Sequence, residues 1–247
     1  MQLVILMDQL LKKYGLDLKL TPYKVISTSL TDGFIEFVPN TSTLSAVLAK
    51  HNQDITDFFR THHPAFDEEM QQGLTPIVLD NFIRSCAGYC VITYLLGIGD
   101  RHLDNLLVDT DGHLFHIDFG YILGKDPKPF PPPMKLCREM VEAMGGAHSA
   151  GYQNFRSKAC QAYKLLRRHA TLIVNLLYLM ADSGIRDLEK SGTEPVSHAI
   201  VKVQEKFRMD LNDEQAEFFF LHLIDDSVSA LFPVVMEKIH KFALYWK

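Results

Sequence analysis

The chain is sparing with the residues that brace a protein from outside its core. Its 247 residues hold four cysteines and one tryptophan. The cysteines stand at 86, 90, 137 and 160, in no zinc-ligand spacing. Cys86 and Cys90 share one helix face, and His113 and His116 lie near in sequence, but those two fall on opposite faces of a strand. A reduced, cytoplasmic protein with buried free thiols is expected. Long apolar runs are missing too. The best, Thr171 to Ala181, is too short to cross a bilayer and is broken by Asn175, so it reads as a buried helix. No signal peptide is legible at the start. Basic charge is in deficit, with 25 Lys and Arg against 30 Asp and Glu, net −5, which argues against a general nucleic-acid binder. There is no internal repeat and no low-complexity tract. What remains is ordinary: 47% hydrophobic residues, enough for a sizeable core in one large domain or two small ones.

The informative stretch runs from Gly99 to Gly120, GDRHLDNLLVDTDGHLFHIDFG. Leu106 to Thr110 and His113 to Ile117 read as strands. Asp111-Gly112 between them is a strong two-residue turn signal, since a type I′ turn needs φ > 0 twice. That turn sets a register in which Asn105 faces Asp118, with Cβ atoms roughly 5 Å apart. An amide oxygen beside a carboxylate suits a hard cation such as Mg²⁺, which takes oxygen ligands, water and phosphate oxygens. A loop with Asp, Arg and His before an Asn, followed by an Asp-Phe-Gly, is the arrangement of phosphoryl-transfer kinases.

The loop triad is reversed relative to protein kinases, as Asp100-Arg101-His102, and continues Leu103-Asp104-Asn105. In this it resembles the phosphatidylinositol 3-kinase and related-kinase superfamily. Ser85 to Tyr94, His116 to Gly124, Asp126 to Pro129, Pro131 to Leu136 and Ile239 to Ala243 resemble the class III phosphatidylinositol 3-kinases, and the likeness covers nearly the whole chain. It implies ATP as donor, Mg²⁺ (or Mn²⁺) as cation and phosphatidylinositol as acceptor, giving the 3-phosphate. It implies His102 as the catalytic group, with Asp100 the alternative base, Arg101 orienting the loop through ion pairing, and Asn105 and Asp118 as metal ligands. Asp104 is a further candidate carboxylate. Glu36, Phe37 and Val38 would be the hinge whose backbone bonds adenine, with Tyr23, Leu107 and Ile117 lining the adenine pocket; plain core packing is the competing reading of those apolar residues. The resemblance also implies a regulatory protein-kinase-like subunit, a beclin-type subunit, and a peripheral place on endosomal and autophagic membranes.

The fold class expected is α+β, mostly α, a protein-kinase-like lobe. Residues 1–38 read as a remnant of a small lobe and hinge, and residues 39–247 as a helical lobe with a catalytic loop at 99–105 and an activation loop at 118–136. Leu3, Leu6, Met7, Leu10 and Tyr14 mark a helix stopped at Gly15. Thr21 to Ser29 and Phe34 to Val38 read as strands, Thr43 to Lys50 and Asp54 to Thr61 as short helices, and Thr75-Pro76 as the start of a long helix to about Tyr94. Ser149, Thr193 and Asn212 are candidate N-caps. Lys125 to Pro133 is too rich in proline for helix or central strand.

Lys125, Lys128 and Lys135 are the only basic side chains of the activation loop. Family members that accept multiply phosphorylated inositides carry a denser cluster, so a sparse one fits phosphatidylinositol; solvated loop lysines are the bland alternative. At the far end Phe232, Val235, Met236, Ile239, Phe242 and Trp246 form a helical stripe. Phe242, Tyr245, Trp246 and Lys247 suit a bilayer interface, or a helix docked on its own lobe. The 247 residues contain no glycine-rich phosphate loop and no lysine in the family's ATP-binding context. Two expectations follow: a lipid kinase whose isolated chain is inactive, or a non-catalytic interaction module.

Overall fold

A computed structural model describes residues 1–29, 31–64, 74–181, 183, 185, 188 and 198–229. Helix α1 (Gln2–Lys13) leads to a two-stranded antiparallel sheet of β1 (Val25–Ser27) and β2 (Gly33–Ile35). Strand β3 (Thr41–Thr43) runs into α2 (Leu44–Lys50), followed by α3 (Ile55–His62) and the long α4 (Pro76–Leu96). A 3₁₀ turn (Leu103–Asn105) opens the hairpin of β4 (Leu106–Asp109) and β5 (Leu114–His116). Helices α5 (Arg138–Ala143), α6 (Ala150–Arg167), α7 (Ala170–Leu179), α8 (His198–Lys206) and α9 (Asp213–Ser229) complete a mostly helical α+β fold.

Local signals place the helix ends. Thr43, Asp54 and Ser149 accept from the backbone N–H of Ala46, Thr56 and Tyr152. Asn212 and Gln215 cap each other reciprocally, Gln215 N–H to Asn212 Oδ1 and Asn212 N–H to Gln215 Oε1. Pro76 sits in the first turn of α4, and Gly97, at φ 59°, closes it in the left-handed conformation. Thr193 lies outside the described residues.

Helix α4 is the spine of the lobe, buried from Phe82 almost without interruption to Leu96. An all-round apolar helix belongs in the middle of a core. Helix α6 packs along it and α9 packs on α6, with Tyr163 stacked on Phe220 at 4.4 Å. Arg167, buried, fastens the turn between α8 and α9. Its guanidinium donates to the carbonyls of Phe207, Arg208 and Leu211 and to Asp213 Oδ1.

Two features differ from the sequence expectation. Thr41–Thr43 is a strand that pairs with β4, making a three-stranded sheet β3-β4-β5. The hairpin of β4 and β5 is also out of the expected register by one residue. Leu106 pairs with His116 and Val108 with Leu114, so Asn105 lies opposite Ile117, not Asp118. The Ile117 N–H accordingly donates to the Asn105 carbonyl at 3.1 Å. The loop has three residues, Thr110 to Gly112. Only Gly112 has positive φ (92°), and its N–H bonds the Asp109 carbonyl. This is a turn closed by a left-handed glycine, not a two-residue type I′ turn.

The reason is tertiary. The hairpin tip is clamped on α4. Asn81 Nδ2 donates to the Asp111 carbonyl at 3.0 Å, and Ser85 Oγ accepts from the Leu114 N–H at 2.9 Å. A Cβ on Gly112 would run into the Val78 carbonyl oxygen. Only glycine satisfies both the backbone angle and this approach.

Candidate functional site

The C-terminus of α4 delivers the chain straight into the loop Gly99 to Asn105. Backbone bonds then stitch it to the segment after β5: Leu123 N–H to Leu96 O, Gly124 N–H to Gly97 O at 2.8 Å, and Gly99 N–H to Tyr121 O at 2.9 Å. Asp100 and Asp118 both have positive φ, 53° and 56°. Non-glycine residues held there carry strain that the surroundings must enforce.

Arg101 supplies much of that enforcement. It is 9% exposed, and its guanidinium donates to the carbonyls of Gly99 (2.6 Å), Ile117 (2.8 Å) and Asp118. The expectation of orientation through ion pairing is corrected: the loop is oriented through carbonyls, because all three directional bonds go to main chain. Burial pulls its pKa below the ordinary guanidinium value, opposed by the charges of Asp118, Asp100, Tyr23 and Asp126. Asp126, not singled out from sequence, acts as a second staple. Its Oδ2 accepts from Asp100 N–H at 2.9 Å and its Oδ1 from Lys128 N–H at 2.8 Å.

His102 stands at the opening, its side chain 45% exposed. Nε2 lies 3.9 Å from Asp100 Oδ2 and Nδ1 lies 3.9 Å from Asp104 Oδ2. Asp104 is fixed in turn by the Ser45 hydroxyl. Asn105 is 5% exposed, and its Nδ2 donates to the Asp100 carbonyl at 3.0 Å. That bond leaves Oδ1 without a hydrogen-bond donor among the described residues. Asp118 is exposed; its Oδ1 accepts from Gly120 N–H at 3.1 Å and its Oδ2 has no donor among the described residues. An amide oxygen and a carboxylate oxygen left open on adjoining segments are a donor set that fits Mg²⁺ or Mn²⁺.

The other expected residues divide. Tyr23, Glu36, Phe37 and Val38 line one open cavity of about 530 Å³, together with Asp109 and His113. Leu107 and Ile117 do not line it; they are half-buried against the core. Tyr23 packs edge-on to Phe115 at 6.1 Å, and burial pushes its phenol pKa up. Glu36 is held by Lys24, exchanging N–H to carbonyl at 2.9 Å and accepting Lys24 N–H on Oε2 at 2.7 Å. Phe37 is 85% exposed, and the N–H groups of Phe37 and Val38 make no backbone bond among the described residues. Lys125 lines a separate cavity, Lys128 is exposed, and Lys135 is half-buried, its carbonyl accepting from Cys90 Sγ at 3.7 Å. Phe242, Tyr245, Trp246 and Lys247 lie outside the described residues.

His116 was read as part of a motif and set aside as a metal ligand. It is 2% exposed, stacked on Tyr89 at 5.1 Å, and held neutral: burial first, then Arg101 and Lys135, push its pKa well below the ordinary imidazole value.

The family model for "Phosphatidylinositol 3- and 4-kinase" matches residues 1–190. The chain belongs to the phosphatidylinositol 3- and 4-kinase family. Over 246 residues it is 56% identical to "Phosphatidylinositol 3-kinase, root isoform" of Glycine max and 56% identical to "Phosphatidylinositol 3-kinase VPS34" of Arabidopsis thaliana. It is 52% identical to the protein of the latter name in Saccharomyces cerevisiae. In each case all of this chain is covered, but it spans only 29%, 29% and 27% of the relatives' lengths. In this family member the reversed Asp-Arg-His triad therefore sits on a loop stapled from two sides, by Arg101 below and Asp126 beside it. Sequence assigned the first staple a role and marked the second only within the motif Asp126 to Pro129. Among the described residues, no helix is long and apolar enough to cross a membrane.

Proposed function

We propose that the protein provides the catalytic and activation loops of a phosphatidylinositol 3-kinase, transferring the γ-phosphoryl group of ATP to the inositol 3-hydroxyl. The observation that carries this reading is the convergence of His102, Asn105 and Asp118 on segments tied together by Arg101, in a chain 56% identical to proteins named phosphatidylinositol 3-kinase. Phosphoryl transfer asks mainly for positioning and charge stabilisation. His102 takes the proton of the attacking hydroxyl as that oxygen bonds phosphorus and the bond to ADP breaks. The Asp100 and Asp104 carboxylates each lie 3.9 Å from one of its ring nitrogens. Asp100 is the alternative acceptor, but its side chain is less accessible, at 26% against 45%.

Asn105 Oδ1 and Asp118 Oδ2 would hold the divalent cation, which when bound supplies positive charge against the phosphates. The unpaired hinge N–H groups beside Tyr23 support adenine binding along residues 36–38. The sparse basic content of residues 125–135 supports phosphatidylinositol over its bisphosphate as acceptor. On the family resemblance alone, the reading extends to endosomal and autophagic membranes and to regulatory and beclin-type subunits.

The test is phosphorylation of mixed vesicles by the assembled kinase, with product position determined. Formation of the 3-phosphate from phosphatidylinositol, lost in Asp118→Asn with folding intact, is expected. Asparagine tolerates the left-handed backbone of residue 118, so a folded but inactive variant isolates the carboxylate. Normal turnover in that variant, or preference for the 4,5-bisphosphate, refutes the assignment.

A further inference from the structure

A cavity of about 420 Å³ lies between the end of α4, the activation segment and α8. Its wall includes Gly97, Gly99, Lys125, Asp126, Lys202 and Lys206, and it does not include His102, Asn105 or Asp118. It is thus distinct from the groups assigned to phosphoryl transfer.

Two lysines of α8 in this wall are unusual in what they lack. Lys206 is largely buried; its Nζ donates to the Tyr94 carbonyl at 2.9 Å and sits 5.3 Å from the centre of the Tyr94 ring. Lys202, one turn earlier on the same face of α8, is exposed. Among the described residues no carboxylate pairs with either ammonium. Burial, and then the like charge of Lys202, push the Lys206 pKa down to about 8. Two acidic groups also face the cavity. Asp126 spends both oxygens on the N–H groups of Asp100 and Lys128, and Glu205 is exposed and makes no ion pair with either lysine. The close approach is built in: a Cβ on Gly97 would crowd Lys206 Nζ at 2.9 Å as well as the Gly124 backbone. Two neighbouring ammonium groups without a carboxylate partner among the described residues, one largely buried and one exposed, call for an anion, and the volume suits a small ligand.

We propose that this cavity is a phosphate-binding site, in which Lys202 and Lys206 clamp the phosphate of a soluble ion or of an anionic lipid headgroup. Bound there, the phosphate lies against Gly99 and Asp126, the residues that adjoin and hold Asp100. The site concerns binding alone and stands or falls independently of the kinase reading.

The experiment titrates inorganic phosphate into the purified protein by calorimetry. In parallel, co-sedimentation compares phosphatidylcholine vesicles with and without phosphatidic acid. Lys202→Gln changes an exposed side chain, Lys206→Met keeps the volume of a buried one, and Lys50→Gln is an exposed control. Loss of one charge-assisted contact weakens binding about tenfold or more. Phosphate binding weakened that much by Lys202→Gln or Lys206→Met, and not by Lys50→Gln, identifies a soluble-phosphate site. The same pattern only with phosphatidic acid vesicles identifies a headgroup site. No binding in either arm, binding unchanged in both variants, or an equal loss in the control overturns the proposal.

Discussion

Replacing Arg101 by Met separates loop architecture from chemistry. The side chain keeps its apolar stem and loses the head that bonds the carbonyls of Gly99, Ile117 and Asp118. A hydrogen bond to a charged group contributes about 1.5–3 kcal/mol, so three would sum to several kcal/mol. Two effects reduce the sum. Asp118 is exposed, so its carbonyl regains water, and the variant no longer confines a charge that is 9% exposed. A net destabilisation of about 3 kcal/mol remains. With a urea slope of about 1–3 kcal/mol per molar, the unfolding midpoint falls by about 1–3 M. Arg101→Lys, which keeps the charge but not the fork, is expected to lose most of the same stability. Hydrogen exchange at the amides of Asn105 and Ile117, where the two tied segments meet, should quicken in step with that of the core. A midpoint for Arg101→Met within about 0.3 M of the unsubstituted protein would refute the staple.

Three further outcomes are expected. In the assembled kinase, His102→Ala lowers kcat by about 10²-fold or more while the urea midpoint stays put, since the exposed ring makes no close hydrogen bond; a change confined to KM would reassign it to substrate binding. Gly112→Ala destabilises by at least about 2 kcal/mol, because alanine meets both a left-handed backbone and the Val78 carbonyl, and a smaller loss would mean the hairpin tip is not clamped on α4. His113 has its pKa raised, chiefly by the 2.9 Å hydrogen bond to Asp109, with burial opposing. Its contribution is full below the unfolded value of about 6.5 and is lost as pH rises through the higher folded value. Urea titrations from about pH 6 to 8 should therefore show a fall in stability that His113→Gln removes; parallel curves would exclude the linkage.

Much of this was legible because it is local chemistry. Thr43, Asp54, Ser149 and Asn212 announce helix starts, and Pro76 and Gly97 bracket α4, because each residue acts on its neighbours' backbone. The hairpin shows where that logic stops. Asp111-Gly112 is compatible with a two-residue and a three-residue loop, and the choice is made by Asn81 and Val78, some thirty residues away. Strand β3 was hidden for a similar reason: Thr43 reads as the start of a short helix, and Thr41–Thr43 pair only because β4 lies alongside. The partners of Asp126, and those of Arg167 apart from Asp213, are main-chain groups, which carry no side-chain identity for a sequence reading to match.

Helix α4 grips the catalytic hairpin at one end through Asn81 and Ser85 and hands over to the loop at the other through Leu96 and Gly97. Asn81 and Gly97 are sixteen residues, or about 24 Å, apart at 1.5 Å per residue. Such a strut leaves the loop no cooperative unit of its own. Partial opening that spares α4 cannot release the loop, and opening that frays α4 dissolves the centre of the core. Amide exchange at the loop's bonded positions should run at the pace of global unfolding, and gradual heating should abolish the site and the fold in a single transition.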